Sequence, residues 1–126
     1  MVDPLADFLT RIRNAQMIGR TTVQVPYSRL KEDVAKVMKK NGFLLSITKE
    51  KLDGKVHSFL RIELPEKTLY LKRISKSGQR IYVSADDIRK VFNGFGVAII
   101  STSQGVMTGY EARAKNIGGE FLCEIS

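Results

Sequence analysis

The chain of 126 residues can form one compact domain or two small lobes, since domains usually hold about 100–200 residues. Its 21 Lys and Arg oppose 13 Asp and Glu, and the net charge of +8 indicates a polyanionic partner, whether nucleic acid, a membrane surface or an acidic protein. One cysteine and one histidine exclude an internal disulfide and a multi-thiolate zinc site, so we expect no metal or other cofactor.

The first predicted elements are a helix, a strand and a second helix. Asp3-Pro4 favours a helix start, and apolar residues at helical spacing continue it toward Gly19. Residues 22–25 are a strand candidate, and Ser28 can cap the second helix, whose lysines, Lys31 included, are expected on the solvent side. A cation in the first helical turn opposes the helix dipole, which slightly favours a ligand role for Lys31.

Two strands, residues 43–51 and 55–64, are predicted around Leu52-Asp53-Gly54, because Asp-Gly favours a hairpin turn. Pro65 and the charged pair after it are the expected boundary between an N-terminal lobe, residues 1–65, and a C-terminal lobe, residues 66–126. No apolar run approaches the roughly 20 residues that span a membrane. Residues 1–20 do not resemble a secretory or transit peptide, so we expect a cytoplasmic protein.

The second half is predicted to restart with strands. The expected elements are a strand over 68–74 with 80–84 pairing back onto it, a helix after Ser84, a buried strand over 96–103, a turn at Gln104-Gly105, a helix capped by Thr108 and Glu111, and a last strand over 121–125. Antiparallel hairpins with interspersed helices predict an α+β fold. The N-terminal lobe is α-β-α-β-β, and the C-terminal lobe is mostly antiparallel β with short helices.

The hydroxyl-rich segment Ser101-Thr102-Ser103-Gln104-Gly105 is the leading candidate site. Hydroxyls donate and accept hydrogen bonds, which suits ribose hydroxyls and base edges, whereas turn amides suit phosphates. The alternative is that short polar side chains only cap the turn. A nucleophilic serine is disfavoured. The G-x-S-x-G motif around Ser103 would need glycine at position 101, where the chain has serine, and no histidine follows to complete a catalytic triad.

A basic run, Lys72, Arg73, Lys76 and Arg80, precedes Tyr82 and contains no acid. Its cations can attract phosphates and the tyrosine can stack on a base, although the run could equally be a solvated strand edge. Glu120, between Gly119 and an apolar strand, could organise a hydroxyl or base amino group, or could simply be exposed. The remaining thiol and imidazole, Cys123 and His57, are expected in the core and in solvent respectively.

Several segments then show a family resemblance. Residues 100–108 (Ile-Ser-Thr-Ser-Gln-Gly-Val-Met-Thr), 111–113 (Glu-Ala-Arg) and 118–123 (Gly-Gly-Glu-Phe-Leu-Cys) resemble the C-terminal signature of the small-subunit ribosomal protein eight family. Residues 3–15 resemble its first helix, and residues 75–82 resemble the start of its second domain. The resemblance extends in order over about residues 3–125.

The resemblance implies two small α+β domains that bind small-subunit ribosomal RNA beside neighbouring small-subunit ribosomal proteins. In many bacteria the family also binds its own operon mRNA. It implies RNA contacts at Ser101, Thr102, Ser103, Gln104 and Gly105, with Tyr82 and Glu120 nearby and with Asp3, Asn14 and Lys31 in the N-terminal half. Ser77 and Gln104 stand where the family commonly has Pro and Lys, and the lost lysine should reduce the salt dependence of binding. We therefore expect a ribosome-associated structural protein rather than an enzyme. A stand-alone translational repressor and, less favoured, an RNA-modifying enzyme are the alternatives.

Overall fold

The structure is a computed structural model that describes residues 3–51, 57–91 and 96–126. Within these ranges no helix is both long and apolar enough to cross a membrane. The hairpin turn predicted at residues 52–54 and the predicted end of the third helix at residues 93–94 lie outside the described residues. Two compact units are present, one formed by Pro4–Leu69 and the other by Tyr70–Ser126 together with Asp3.

The N-terminal unit consists of two helices and a three-stranded antiparallel sheet. Its elements are α1 (Pro4–Met17), β1 (Thr22–Pro26), α2 (Arg29–Lys40), β2 (Ser46–Lys51) and β3 (Ser58–Glu63). The sheet order β1-β3-β2 places β3 in the centre. Apolar residues of α1 at helical spacing, such as Phe8 and Ile12, are fully buried, as the periodicity predicted. The hydroxyl of Ser28 accepts a hydrogen bond from the amide of Lys31, which confirms the predicted cap of α2.

The structure corrects the predicted faces of α2. Lys31 was expected in solvent, but the residue is only 5% exposed. Its ammonium donates a hydrogen bond of 3.0 Å to the carbonyl oxygen of Pro26. Leu30 is exposed, whereas Val34, Ala35 and Met38 form the buried stripe of α2 together with Lys31. Helical spacing places Lys31 on this stripe, and the bond to Pro26 satisfies its ammonium there, so its charge did not decide its exposure.

The C-terminal unit consists of an antiparallel sheet and two short helices. Its elements are β4 (Leu71–Arg73), β5 (Tyr82–Val83), α3 (Ala85–Val91), β6 (Val97–Thr102), β7 (Gly105–Thr108), α4 (Gly109–Ala114) and β8 (Gly119–Ile125). Strand β8 is central, since it pairs with β4, β5 and β6, while β7 pairs with the far side of β6. With the N-terminal unit, this arrangement confirms the predicted α+β class.

The predicted pairing of residues 80–84 with residues 68–74 is wrong. Both β4 and β5 pair with β8 instead, and only an isolated bridge between Lys76 and Gln79 closes the turn between them. Each strand gains a full partner in β8, whose centre is apolar and buried. Local alternation predicted the strands but contained no signal for the partner, because β8 lies about 45 residues further along the chain.

The core of the C-terminal unit lies on the face of the sheet covered by α3 and α4. Ile88 and Ala112 from these helices pack against Met107 of β7. Ile100 and Phe121 are paired across β6 and β8 and are also buried. Both helices begin as their hydroxyl residues predicted, because Ser84 and Asp87 hydrogen-bond each other reciprocally and Thr108 accepts from the amide of Glu111.

Candidate nucleic-acid interface

The hydroxyl-rich segment forms the turn between β6 and β7. Thr102 pairs with Gly105 across the ladder, so Ser103 and Gln104 occupy the tip. Gly105 has a φ of 111°, while neither tip residue has a positive φ. This arrangement matches hairpin loops in which a glycine supplies the left-handed position after the turn. The sequence prediction of a turn at residues 104–105 is confirmed. Gly105 is the residue that adopts the positive φ which this turn requires.

The three hydroxyls of this turn differ in their hydrogen bonding. Thr102 accepts a hydrogen bond from the amide of Gln104 at 3.0 Å and donates one to the carbonyl of Gly105 at 2.8 Å. Its hydroxyl therefore caps the turn. The side-chain hydroxyls of Ser101 and Ser103 form no hydrogen bond within residues 3–51, 57–91 and 96–126. Ser103 and Gln104 are exposed, so the side chains that can meet a ligand flank the capping threonine.

A row of polar side chains crosses the sheet beside this turn. Glu120 of β8 is directly opposite Tyr82 of β5 on one side and Ser101 of β6 on the other. Directly paired residues place their side chains on the same face of a sheet. Val83, next to Tyr82, packs into the core with Ile100, so the polar row lies on the opposite face. Tyr82 is 69% exposed at one end of the row.

Glu120 is held in place by two donors. The buried hydroxyl of Ser75 donates to its Oε2 at 2.5 Å, and Arg80 donates to the same oxygen at 2.9 Å. Ser75 in turn accepts a hydrogen bond from the amide of Ile81. Partial burial alone would raise the pKa of Glu120, but the bonds from Ser75 and Arg80 outweigh it and lower the pKa below its ordinary value. The carboxylate is therefore ionised and fixed, although the sequence also allowed a merely exposed acid.

Gly118 and Gly119 allow β8 to enter between its neighbours. A Cβ atom on Gly118 would overlap the carbonyl oxygen of Val83, and one on Gly119 would overlap that of Ser101. Neither glycine has a positive φ. Glycine is therefore required at these two positions because the backbones approach closely, not because the backbone torsion is unusual. The glycines thereby allow the tight pairing that aligns Tyr82, Glu120 and Ser101.

The four cations of the predicted basic run separate into two groups. Lys72 and Lys76 are exposed and form no ion pair with any described residue. Arg73 instead bonds the carboxylate of Asp3 at 3.1 Å and the carbonyl of Leu122, and its side chain is 11% exposed. Arg80 is bonded to Glu120, which raises its pKa. Two of the four candidate phosphate ligands therefore have structural partners, as does Asp3.

The remaining sequence-predicted residues lie in the N-terminal unit. Asn14 is exposed on α1. Lys31 is buried, and this burial, modified by the charges of Asp7 and Arg11, lowers its pKa. The bond to the carbonyl of Pro26 gives the ammonium of Lys31 a partner within the protein, so no ligand is needed to explain its position.

Ser75 was missed by sequence reasoning. It is fully buried and organises Glu120 from 45 positions away. The only sequence feature that could have indicated a role for Ser75 is its position between an apolar strand and a basic turn. That signal does not identify its partner, since nothing local connects Ser75 with β8.

A net charge of +8, an exposed tyrosine and an open hydroxyl turn are features that RNA-binding proteins use. No group of three metal-ligating side chains occurs among the residues that the structure describes. The family model for ribosomal protein S8 matches residues 3–126, and the chain belongs to this family of ribosomal proteins, which are not enzymes.

Three relatives illustrate the match, each of them a small ribosomal subunit protein uS8. The chain is 50% identical to the protein of Enterococcus faecalis, 48% identical to that of Levilactobacillus brevis and 47% identical to that of Syntrophus aciditrophicus. Each alignment covers 99% of this chain and 98% of the relative. The family suggested by the signature segments is thus confirmed along the whole chain.

Proposed function

We propose that the chain is a structural constituent of the small ribosomal subunit that binds small-subunit ribosomal RNA and assists subunit assembly. It would do so in the cytoplasm, beside neighbouring small-subunit ribosomal proteins. The observation that carries this proposal is the cross-strand row of Tyr82, Glu120 and Ser101 next to the open turn at Ser103. The C-terminal lobe, expected from residue 66, is assigned the main RNA-binding role.

The proposed mechanism divides attraction from selectivity. The exposed ammonium groups of Lys72 and Lys76 attract the RNA backbone without reading sequence. The hydroxyls of Ser101 and Ser103 then face the wide, shallow minor groove of an RNA helix, where ribose hydroxyls and base edges are accessible. Glu120 accepts a hydrogen bond from a ribose hydroxyl or a base amino group, because a fixed carboxylate only accepts. Tyr82 contributes its ring or its phenol hydroxyl.

Ser103→Ala tests this mechanism. The variant should lose about 1–2 kcal/mol of binding to a central-domain fragment of small-subunit ribosomal RNA, because one hydrogen bond disappears from a desolvated contact. Filter-binding titrations with the intact protein measure the affinity, and an unrelated hairpin of equal length measures non-specific binding. Ser77→Ala, an exposed serine in another turn, is the matched control. Equal affinities of both variants for the ribosomal fragment would contradict the proposed site.

The same surface should also bind the protein's own operon mRNA where that RNA folds into a similar helix, because shape and backbone hydroxyls dominate RNA recognition. Ser103→Ala should then weaken both RNAs by the same factor. A loss confined to one RNA would separate the two activities. Sedimentation of the native protein with small subunits distinguishes ribosomal residence from a stand-alone repressor, which would remain at the top of the gradient.

A further inference from the structure

Helix α2 ends at an Asn-Gly pair that is exposed to solvent. Asn41 is the C-cap of the helix, and Gly42 follows it with a φ of 83°. The amide of Gly42 donates a hydrogen bond to the carbonyl of Lys39 at 3.0 Å. The amide of Phe43 donates one to the carbonyl of Met38 at 2.9 Å. These two bonds and the left-handed glycine form a Schellman motif, which closes the end of the helix.

Asn-Gly pairs are prone to deamidation, because glycine has no Cβ that hinders attack by its backbone nitrogen on the preceding side chain. In this reaction hydroxide takes the amide proton of Gly42, and the nitrogen attacks Cγ of Asn41. The bond between the nitrogen and Cγ forms, the bond between Cγ and Nδ2 breaks, and Nδ2 leaves as ammonia after taking a proton from water. A further water molecule then opens the cyclic succinimide and yields aspartate or isoaspartate.

The folded helix end holds both reacting groups away from this reaction. The nitrogen of Gly42 keeps its proton in the bond to Lys39. Nδ2 of Asn41 donates to the carbonyl of Val37 at 2.8 Å, which turns the side chain back along the helix. The ψ of Asn41 is 11°, so the nitrogen of Gly42 is nearly eclipsed with the backbone nitrogen of Asn41. Closure of the succinimide needs that nitrogen beside Cβ instead, and the backbone must therefore rotate before the reaction can begin.

We propose that Asn41-Gly42 is a deamidation site that the Schellman motif keeps closed, and that it reacts when the last turn of α2 opens locally. Helix ends open at a lower free energy than the core, so this opening does not require global unfolding. The product does not restore the cap. An aspartate carboxylate cannot donate to the carbonyl of Val37, and a negative charge is unfavourable at the C-terminus of a helix. Deamidation therefore converts a closed helix end into an open one.

Mass spectrometry of the intact protein after incubation in mildly alkaline buffer tests the protection. Trypsin releases residues 41–49 as one peptide, separate from the peptide that contains the other Asn-Gly pair at residues 93–94. Residues 41–49 should deamidate at least about tenfold more slowly in the folded protein than in the chain unfolded in urea, because few molecules have an open helix end. A synthetic peptide of residues 37–45, with and without urea, controls for any effect of urea on the chemistry. Equal rates in the folded and unfolded protein would overturn the proposal.

The urea dependence of the same rate tests the local opening. Fraying of one helical turn exposes little surface, so the rate in the folded protein should change little at low urea and rise only near the unfolding transition. A rate that rises from the lowest urea concentrations with the slope of global unfolding would show that α2 does not open locally, and would overturn this part of the proposal.

Two variants of Asn41 test the effect of the product on the cap. Asn41→Asp is the deamidated side chain, and Asn41→Ala removes only the donor to Val37. Hydrogen exchange of the amides of Gly42 and Phe43 should be faster in Asn41→Asp than in Asn41→Ala, because only the aspartate adds a charge that the helix end repels. The amide of Leu60 in the central strand β3 is the internal control and should be unchanged. Exchange at the wild-type rate in Asn41→Asp would show that deamidation leaves the helix end closed.

Discussion

The buried hydroxyl of Ser75 donates a hydrogen bond to the carboxylate of Glu120 and connects the turn after β4 with the central strand β8. The same hydroxyl accepts from the amide of Ile81, so one side chain bonds both a carboxylate and a backbone amide. Arg80 completes the support of the carboxylate from the solvent side. The carboxylate of Glu120 is thus ionised and held in one position by these two donors.

Ser75→Ala should lower the free energy of unfolding by about 1–3 kcal/mol, because the amide of Ile81 loses its bond to the hydroxyl and Glu120 loses a donor. Urea unfolding followed by circular dichroism measures this loss. Ser77→Ala removes an exposed hydroxyl two residues away and should change stability by less than about 0.5 kcal/mol. Equal losses in the two variants would show that the buried bonds contribute nothing.

Glu120→Gln should flatten the acid side of the stability profile. The pKa of Glu120 is lowered below its ordinary value of 4.5, so in that range the folded protein binds fewer protons than the unfolded chain. The stability from this group is complete above the ordinary value and is lost as the pH falls through the lowered pKa. Urea midpoints at a series of pH values between about 2 and 7 measure the slope. An unchanged acid slope in the variant would contradict the assigned role.

Gly119→Ala should destabilise the C-terminal unit by about 1–3 kcal/mol, because the new methyl group overlaps the backbone carbonyl of Ser101 and strands β6 and β8 must separate. Thermal unfolding measures the effect. Gly78→Ala is the matched control, since a Cβ there meets nothing within 4 Å and the residue has no positive φ. Comparable losses at both positions would reflect a general response to glycine replacement rather than close approach of the strands.

Lys76→Ala should weaken the ribosomal fragment and an unrelated RNA alike and reduce the salt slope by about one, as expected for a single phosphate contact. Lys76 is exposed and has no described acidic partner, so its charge is available to the backbone. Lys39→Ala on α2 controls for the change in net charge. A loss confined to the ribosomal fragment would assign Lys76 to selective recognition instead.

Cys123 should be unreactive in the folded protein. Burial raises the pKa of its thiol to about 12, an effect reduced by the charge of Arg73, so almost no thiolate exists at pH 8. Ellman's reagent at pH 8 should therefore leave the native thiol intact and react with it after urea unfolding. Rapid modification of the native protein would show that β8 opens far more readily than a central strand should.

The sequence by itself determined the local structure. Helix periodicity predicted the buried face of α1, and side-chain caps predicted the starts of α2, α3 and α4, because both effects act over one or two turns. Gly105 indicated the turn at the hydroxyl-rich segment, and the segment's resemblance identified the family that the comparison confirmed.

Only the tertiary structure decided which residues meet. Strand alternation does not name a partner, so it did not reveal that β4 and β5 share β8 or that Glu120 lies between Tyr82 and Ser101. Lys31 lies on the buried stripe of α2 and bonds the carbonyl of Pro26, although its charge predicted a place in solvent. These outcomes depend on contacts between segments that are far apart in the sequence. Such contacts form only when the whole fold is in place, and neither segment carries a sequence pattern that identifies its partner.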